Sequence, residues 1–241
     1  MARAAAPVEK QVTRQEPLDA PVWAALTSGN RALAEGGPRA KCYLPDVAPF
    51  GAIADRSDAS FASLVKLVAR NGRVVLETMD ALVPPSGLTV EMQKPILQMV
   101  LETAQVSVPP GPDYVDLRQS DVAEMMDLAA RTKPGPFGPR TIELGRYIGF
   151  RFDGVLAAMA GERMRFDRFV EISAVCVDPA YRGKGYAACL MMQLARAIRE
   201  RDLIPFLHVF EDNEGAIALY KKLGFVIRER FFVTSLRSAS I

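Results

Sequence analysis

The sequence lacks any long apolar run, and its positive and negative charges nearly cancel. No apolar stretch reaches the roughly 18–20 residues that a membrane-spanning helix needs, and residues 1–16 lack the apolar centre of a secretory signal. Lysine and arginine number 30 against 28 aspartates and glutamates, so there is no basic excess of the kind that binds nucleic-acid backbones. We therefore expect a soluble, cytoplasmic protein with no membrane and no nucleic-acid partner.

Cysteine and histidine are also scarce, which argues against a disulfide framework or a metal centre. Cys42, Cys176 and Cys189 are odd in number and lack the close spacing of metal ligands. The single histidine, His208, has no partner that the sequence identifies. The sequence therefore predicts reduced thiols, no metal and a histidine that belongs to the core.

A cluster of prolines divides the chain. Pro109-Pro110-Gly111-Pro112 cannot lie within a helix or a central strand, so we place a domain junction there. Residues 17–108 alternate helical and extended patterns, which favours an α/β layer, and 1–16 are expected to form a flexible arm. Residues 113–241 form the second predicted domain.

Periodicity and turn residues predict individual elements in both domains. The predicted elements of the first domain are helices over 22–33 and 61–69 and strands over 42–44 and 74–76. Those of the second are a strand over 114–117, a helix from Ser120 or Asp121 to Arg131, and strands over 143–152 and 155–163. Asp153-Gly154 between the last two strands indicates a hairpin.

A strand, a glycine-rich loop and a helix then follow one another. The apolar run from Glu171 to Val177 ends at Asp178-Pro179, since proline stops a strand. The loop Arg182-Gly183-Lys184-Gly185 leads into helical periodicity from Ala187 to Ile198. Backbone N–H groups at a helix start attract anions, and glycines let the backbone approach them closely. The sequence therefore predicts a phosphate-binding loop.

Two common nucleotide-binding patterns do not fit this loop. A P-loop needs Ser or Thr where Gly185 stands, and the dinucleotide pattern needs a third glycine where Ala188 stands. The pattern that fits is Arg-x-x-Gly-x-Ala, from Arg182 to Ala187. It is accompanied in order by Pro134-Gly135-Pro136-Phe137 before it and by Asn213-Glu214-Gly215-Ala216, Tyr220 and Leu223-Gly224-Phe225 after it. From Tyr114 to about Ser235 the sequence resembles the GNAT acyltransferase superfamily, and within it the branch similar to glycine N-acyltransferases.

The resemblance implies a fold, a co-substrate and a set of binding residues. It implies the mixed α/β GNAT fold for 113–241, with 17–108 as a degenerate copy, and acetyl-CoA as co-substrate without a metal. The strand backbone would pair with the pantetheine arm as an added strand does. Asn213 would contact that arm, or else only cap the following helix. The implied cofactor-binding residues are Val175, Cys176, Val177, Arg182, Gly183, Lys184, Gly185, Tyr186, Ala187 and Asn213.

The resemblance also implies direct acetyl transfer to an amine. An alkylammonium must lose a proton before it attacks, and Glu171 stands where some family members hold the general base. Burial is expected to raise the pKa of Glu171; the alternative is a solvated charge at the strand end. Tyr220 is expected to protonate the leaving thiolate, or else only to pack. The N–H of Val177 would stabilise the oxyanion, while Cys176 and Cys189 are expected to be buried and unreactive.

These inferences predict an N-acetyltransferase that acts on a primary amine of a small molecule, amino acid or peptide, as a monomer or homodimer. The alternative from another class is a non-catalytic acyl-CoA-binding sensor or assembly module. The first domain would serve acceptor specificity, dimerisation or support of the fold, and the sequence does not choose among these.

Overall fold

The structure is a computed structural model that describes residues 17–103 and 105–239. The arm predicted over 1–16 lies outside these residues. Eleven strands form one mixed sheet in the described part of the chain. The strands are β1 Ala34–Gly36, β2 Ala40–Tyr43, β3 Phe50–Ile53, β4 Arg73–Thr78, β5 Leu88–Leu101, β6 Val115–Leu117, β7 Tyr147–Phe152, β8 Val155–Phe166, β9 Phe169–Val177, β10 Ile204–Phe210 and β11 Phe225–Ser238.

Helices cover both faces of this sheet. They are α1 Pro21–Thr27, α2 Asp58–Asn71, α3 Val122–Thr132, α4 Tyr186–Arg199 and α5 Glu214–Lys222. The apolar stripe of α4 packs on Ile148, Phe150 and Ile172, whereas α3 packs on Tyr147 and Met159, whose side chains leave the opposite face of the same strands. None of the helices among the described residues combines the length and apolar composition that a membrane crossing needs.

The last strand of the chain lies among strands of the first half. The sheet order is β1-β2-β3-β4-β11-β5-β10-β9-β8-β7-β6, and β11 is antiparallel to both β4 and β5. The predicted mixed α/β fold class is confirmed. One sheet contains strands from both sides of Pro109–Pro112, and the division of the chain at that point stays a prediction.

Strand β5 has no counterpart among the predicted elements, because Pro95 lies in its middle and proline argues against a central strand. Pro95 pairs with Phe232 of β11, while on the other side β10 ends at Phe210, opposite Ile96. The Pro95 carbonyl, on the side of β10, accepts a hydrogen bond from the N–H of Glu211. The missing N–H would face that same side, where β10 has ended, so the ladder loses no strand-to-strand hydrogen bond.

Most other predicted elements are present, with two corrections. The helix predicted over 22–33 ends at Thr27, and Gly29 then approaches the Arg165 carbonyl so closely that a Cβ would lie 2.3 Å from its oxygen. The strand predicted from Glu143 begins only at Tyr147, after a short 3-10 turn over 141–144. The helix that starts near Asp121 and the hairpin at 153–154 are confirmed.

Candidate active site

Strand β9 carries a bulge in the interior of the sheet. Between the pairs Met159–Cys176 and Gly161–Ser173, β9 has one residue more than β8, and Ala174 adopts a φ of +52°. A bulge of this kind bends the strand and turns its backbone groups away from the regular ladder. The bend lies immediately before the segment that the sequence predicts to bind the pantetheine arm.

Strands β9 and β10 run side by side only at their beginnings. Their parallel pairs end with Phe206 and Glu171, and beyond this point β10 pairs with β5 alone. The edge of β9 from Ile172 to Val177 therefore has no strand partner on this side within 17–103 and 105–239. Such a free edge can accept an extended ligand as an additional strand.

The loop before α4 presents backbone N–H groups to solvent. Gly183 and Gly185 both adopt a φ of +78°, and a Cβ on either would meet nothing within 4 Å. The first helical bond is donated by Cys189 to the Gly185 carbonyl. No acceptor for the N–H groups from Gly183 to Ala188 is found among the residues that the structure describes. The loop is thus open and supplies unpaired donors at a helix start, as anion binding requires.

A first cavity of about 400 Å³ runs from this loop along the free edge of β9 to α5. The Phe152 ring stacks on those of Tyr181 and Tyr186 beside it, at 5.0 and 5.4 Å between ring centroids. All the predicted cofactor-binding residues except Lys184 line this cavity, and Tyr220 lines it as well. Lys184 is exposed, with its ammonium 5.5 Å from the centroid of the Tyr181 ring.

Helix α5 contributes Asn213 and Tyr220. The Asn213 side chain accepts a hydrogen bond of 3.2 Å from the N–H of Ala216 and so caps the helix; its side-chain nitrogen remains available to a ligand. The Tyr220 hydroxyl has no hydrogen-bond partner in the described part of the chain, and burial raises the pKa of Tyr220. The phenol is therefore protonated at neutral pH, as a proton donor must be.

A second cavity of about 560 Å³ adjoins the first, since Thr132, Val175, Asn213 and Tyr220 line both. Its walls mix apolar and polar side chains and come from both halves of the chain. They include Phe50, Val75, Met92, Ile96, Val209 and Val233, while Glu77, Arg163 and His208 supply polar groups. Residues 133–136 of the proline-rich loop border this cavity, whereas Phe137 packs on Tyr147 with ring centroids 5.7 Å apart.

Glu171 is fully buried and paired, which corrects both expectations for its environment. Its carboxylate accepts from Arg163 Nε at 2.6 Å and Nη2 at 2.5 Å, and it lies 2.8 Å from His208 Nδ1. Burial alone would raise the pKa of Glu171, but the Arg163 guanidinium and His208 outweigh it and hold this pKa at about 2. The predicted upward shift is therefore wrong, and so is the alternative of a solvated charge. Glu171 lines neither cavity, and its assignment as a general base stays a prediction.

The partners of His208 come from strands distant in sequence. His208 is buried, as expected for a core histidine, with Nδ1 facing Glu171 and Nε2 3.2 Å from Gln98 Nε2. Gln98 is fixed in turn, because its Nε2 donates to the Leu18 carbonyl and its Oε1 accepts from Arg228. In the neutral form of His208 the proton therefore lies on Nδ1, and Nε2 accepts from Gln98.

Sequence reasoning missed two ionisable groups at this site, Arg163 of β8 and Glu77 of β4. The carboxylate of Glu77 lies in the same buried cluster. The Glu77 side chain is 2% exposed. Its Oε1 lies 3.8 Å from Arg163 Nη2 and its Oε2 lies 3.7 Å from His208 Nδ1, both beyond hydrogen-bond range. Burial raises the pKa of Glu77 even though His208 and Arg163 oppose this shift. The available signal was an acidic residue that directly follows the apolar run Val74–Leu76.

The three cysteines are free and buried. Burial raises the pKa of the Cys176 thiol to about 11, and it also raises that of Cys189. Both thiols are therefore protonated at neutral pH and do not act as nucleophiles. No cluster of residues able to hold a metal ion is found among the described residues.

Known proteins match this chain in sequence and structure. The acetyltransferase (GNAT) family matches residues 120–225. A protein from the GNAT family of Novosphingobium aromaticivorans is 35% identical, with 94% of this chain and 100% of that chain covered and a TM-score of 0.86. N-alpha-acetyltransferase RimI of Mycobacterium tuberculosis is 36% identical over 95 residues, which span 37% of this chain and 59% of that protein. The ribosomal protein bS18-alanine N-acetyltransferase of Escherichia coli is 27% identical over 128 residues, 49% of this chain and 86% of that protein.

Proposed function

Because the chain belongs to the acetyltransferase (GNAT) family, whose members are acyl-transferring enzymes, we propose that it transfers an acetyl group from acetyl-CoA to a primary amine by direct attack in a ternary complex. One observation carries this proposal: the unpaired N–H groups from Gly183 to Ala188 lie at one end of the first cavity, and the second cavity adjoins the other end. A diphosphate-bearing donor and an amine acceptor can thus meet where the cavities join.

The residues of the first cavity fit the proposed co-substrate. The diphosphate would bind to the N–H groups of Gly183–Ala188, with the charges of Arg182 and Lys184 beside them. The pantetheine arm would pair with the free edge of β9 at Val175–Val177 and contact Asn213. Acetyl-CoA supplies a thioester carbonyl that is open to attack by an amine.

Two side chains and one backbone group are proposed to contribute to the reaction. The Tyr220 hydroxyl donates a proton to the leaving thiolate, and the N–H of Val177 stabilises the oxygen of the tetrahedral intermediate. Glu171 acts indirectly: with a pKa of about 2 it is a weak base, but it holds Arg163 and His208 in position at the wall of the second cavity. This makes Glu171 a positioning residue.

The acceptor is proposed to be a primary amine of a small molecule, an amino acid or a peptide. The name of the E. coli relative, an alanine N-acetyltransferase acting on a ribosomal protein, supports a peptide acceptor. The resemblance to the glycine N-acyltransferase-like branch supports an amino acid. Apolar and polar side chains share the walls of the second cavity, which favours an acceptor with both apolar and polar groups in either case.

Release of free thiol from acetyl-CoA tests this function. The full chain is assayed against amino acids, polyamines and peptides with a free N-terminus, with an acceptor-free reaction as control. We expect release well above the acceptor-free rate for at least one class, and acetylated product by mass spectrometry. Tight binding of acetyl-CoA without thiol release for any acceptor would instead favour the non-catalytic sensor. The absence of a thermal shift at millimolar coenzyme A would contradict both.

A further inference from the structure

Glu77 brings a buried carboxylate from the first half of the chain to the wall of the second cavity. Its Oε2 has no hydrogen-bond partner among the described residues. A buried carboxylate oxygen without a partner is costly, and such groups in native structures call for an explanation. The arrangement is explained if a ligand in the cavity supplies the missing donor.

The neighbours of Glu77 do not supply that donor. Arg163 gives its two closest hydrogen bonds to Glu171. His208 faces Glu171 through Nδ1 and Gln98 through Nε2. Arg163 and Glu171 compensate each other in charge. Burial lowers the pKa of His208, but the charges of Glu77 and Glu171 outweigh burial and raise this pKa. At 3.7 Å, however, His208 Nδ1 gives Glu77 Oε2 no hydrogen bond. A positively charged group at the cavity wall would balance the charge of Glu77 and complete its hydrogen bonding.

We propose that Glu77 binds the ammonium group of the acceptor and takes its proton; this inference rests on the proposed function. One N–H proton of the ammonium passes to Glu77 Oε2, and the freed nitrogen lone pair forms the bond to the acetyl carbon. When the C–S bond breaks, the thiolate takes the proton of Tyr220, which regains one from the same nitrogen. The products are an amide, a thiol and the single proton held by Glu77.

A third cavity provides a route by which the proton on Glu77 can reach solvent. It measures about 310 Å³, lies between α1 and the ends of β3 and β4, and shares only Glu77 with the second cavity. Its lining includes Arg56 and Asp80, whose side chains are 53% and 80% exposed. Glu77 thus stands between the acceptor and a separate opening to solvent, so it can release a proton while the acceptor fills the second cavity.

Several charged groups face this network and will influence its pH dependence. Arg163 of β8, Glu171 of β9 and His208 of β10 surround Glu77 directly, and Tyr43 of β2 interacts with its charge. Arg73, Glu91 and Lys133 line the second cavity as well. For this reason the test uses the dependence of the rate on the acceptor as well as on pH.

The experiment compares the Glu77→Gln and Glu77→Asp variants with wild type, using an acceptor found in the thiol-release assay. We expect Glu77→Gln to lower kcat/KM for the amine at pH 7 by about 100-fold or more, with the Kd for acetyl-CoA unchanged within about twofold. The defect should shrink as pH rises, and it should be smaller for acceptors whose amines are already neutral at pH 7. Glu77→Asp should recover part of the rate, and Glu200→Gln, at the end of α4, should behave as wild type.

The outcomes separate this inference from the proposed function. If wild type acetylates amines and Glu77→Gln shows the same rate and pH profile, or an equal defect for all acceptors, the role of Glu77 is refuted and the function stands. If wild type binds acetyl-CoA but acetylates no amine, the function fails and the inference fails with it. Retained acetyl-CoA binding by Glu77→Gln shows that the variant is folded.

Discussion

Glu77 Oε2 and His208 Nδ1 lie 3.7 Å apart although β11 and β5 separate their strands in the sheet. In a flat sheet, three inter-strand spacings of about 4.8 Å would place β4 and β10 roughly 14 Å apart. The two side chains meet because the sheet curls and both extend from its concave face. The curl brings the first half of the chain to the wall of the second cavity, opposite the strands that carry Glu171 and the bulge.

Replacement of Tyr220 by phenylalanine tests the proposed proton donor. Because the hydroxyl has no other hydrogen-bond partner among the described residues, its removal costs little folding energy but takes away the acid that protonates the thiolate. We expect kcat to fall by about 100-fold while the Kd for acetyl-CoA changes by less than about threefold. Tyr114→Phe, just before β6 and lining neither cavity, is the control. A Tyr220→Phe enzyme with wild-type kcat would show that the ring only packs.

Glu171 should make folding stability depend on pH in the acid range. Its pKa of about 2 in the folded protein lies below its ordinary value of 4.5, so its stabilising contribution is full above about pH 4.5 and is lost as pH falls through about 2. In urea titrations, the difference in unfolding free energy between wild type and Glu171→Gln should therefore shrink as pH falls from 5 to 3. A difference independent of pH would show that the Arg163–Glu171 pair does not hold the carboxylate ionised.

The sequence predicted the phosphate-binding loop and the strand beside it because that unit is local. Strand, turn and helix start lie within one stretch of chain, and each has its own signal in proline, glycine or apolar periodicity. Strand β5 was not predicted, since a proline such as Pro95 is unfavourable within a ladder of strands. Pro95 is tolerated here because β10 ends beside it. The position of β11 between β4 and β5 has no local signal at all.

The charged network could not be predicted for the same reason. Glu77, Arg163, Glu171 and His208 come from four strands, and only the curl of the sheet brings them together. The expected rise in the pKa of Glu171 took account of burial alone. The Arg163 guanidinium, which the sequence does not place, reverses the direction of the shift.

The bulge of β9 should tolerate glycine better than a regular strand position does. Ala174 adopts a φ of +52°, where a residue with a Cβ is strained by about 1–2 kcal/mol. Ala174→Gly relieves this strain but loses a buried methyl group, so the free energy of unfolding should change little. Ala157→Gly in β8 also loses a buried methyl group but relieves no strain, so it should lower the free energy of unfolding by about 1–2 kcal/mol. If thermal or urea unfolding showed that both variants lose the same free energy of unfolding, the bulge would not be strained.

Calorimetric titration of the full chain with acetyl-CoA is the most direct test of the loop as the donor site. Wild type should bind with one-to-one saturation. Gly185→Val should lose at least tenfold in affinity, because a β-branched residue is excluded from a φ of +78° and its side chain obstructs the approach to the N–H groups. Gly215→Ala in α5, where an added Cβ meets nothing within 4 Å, should bind as wild type does. No binding by wild type at millimolar acetyl-CoA, or wild-type affinity in a folded Gly185→Val, would contradict the account.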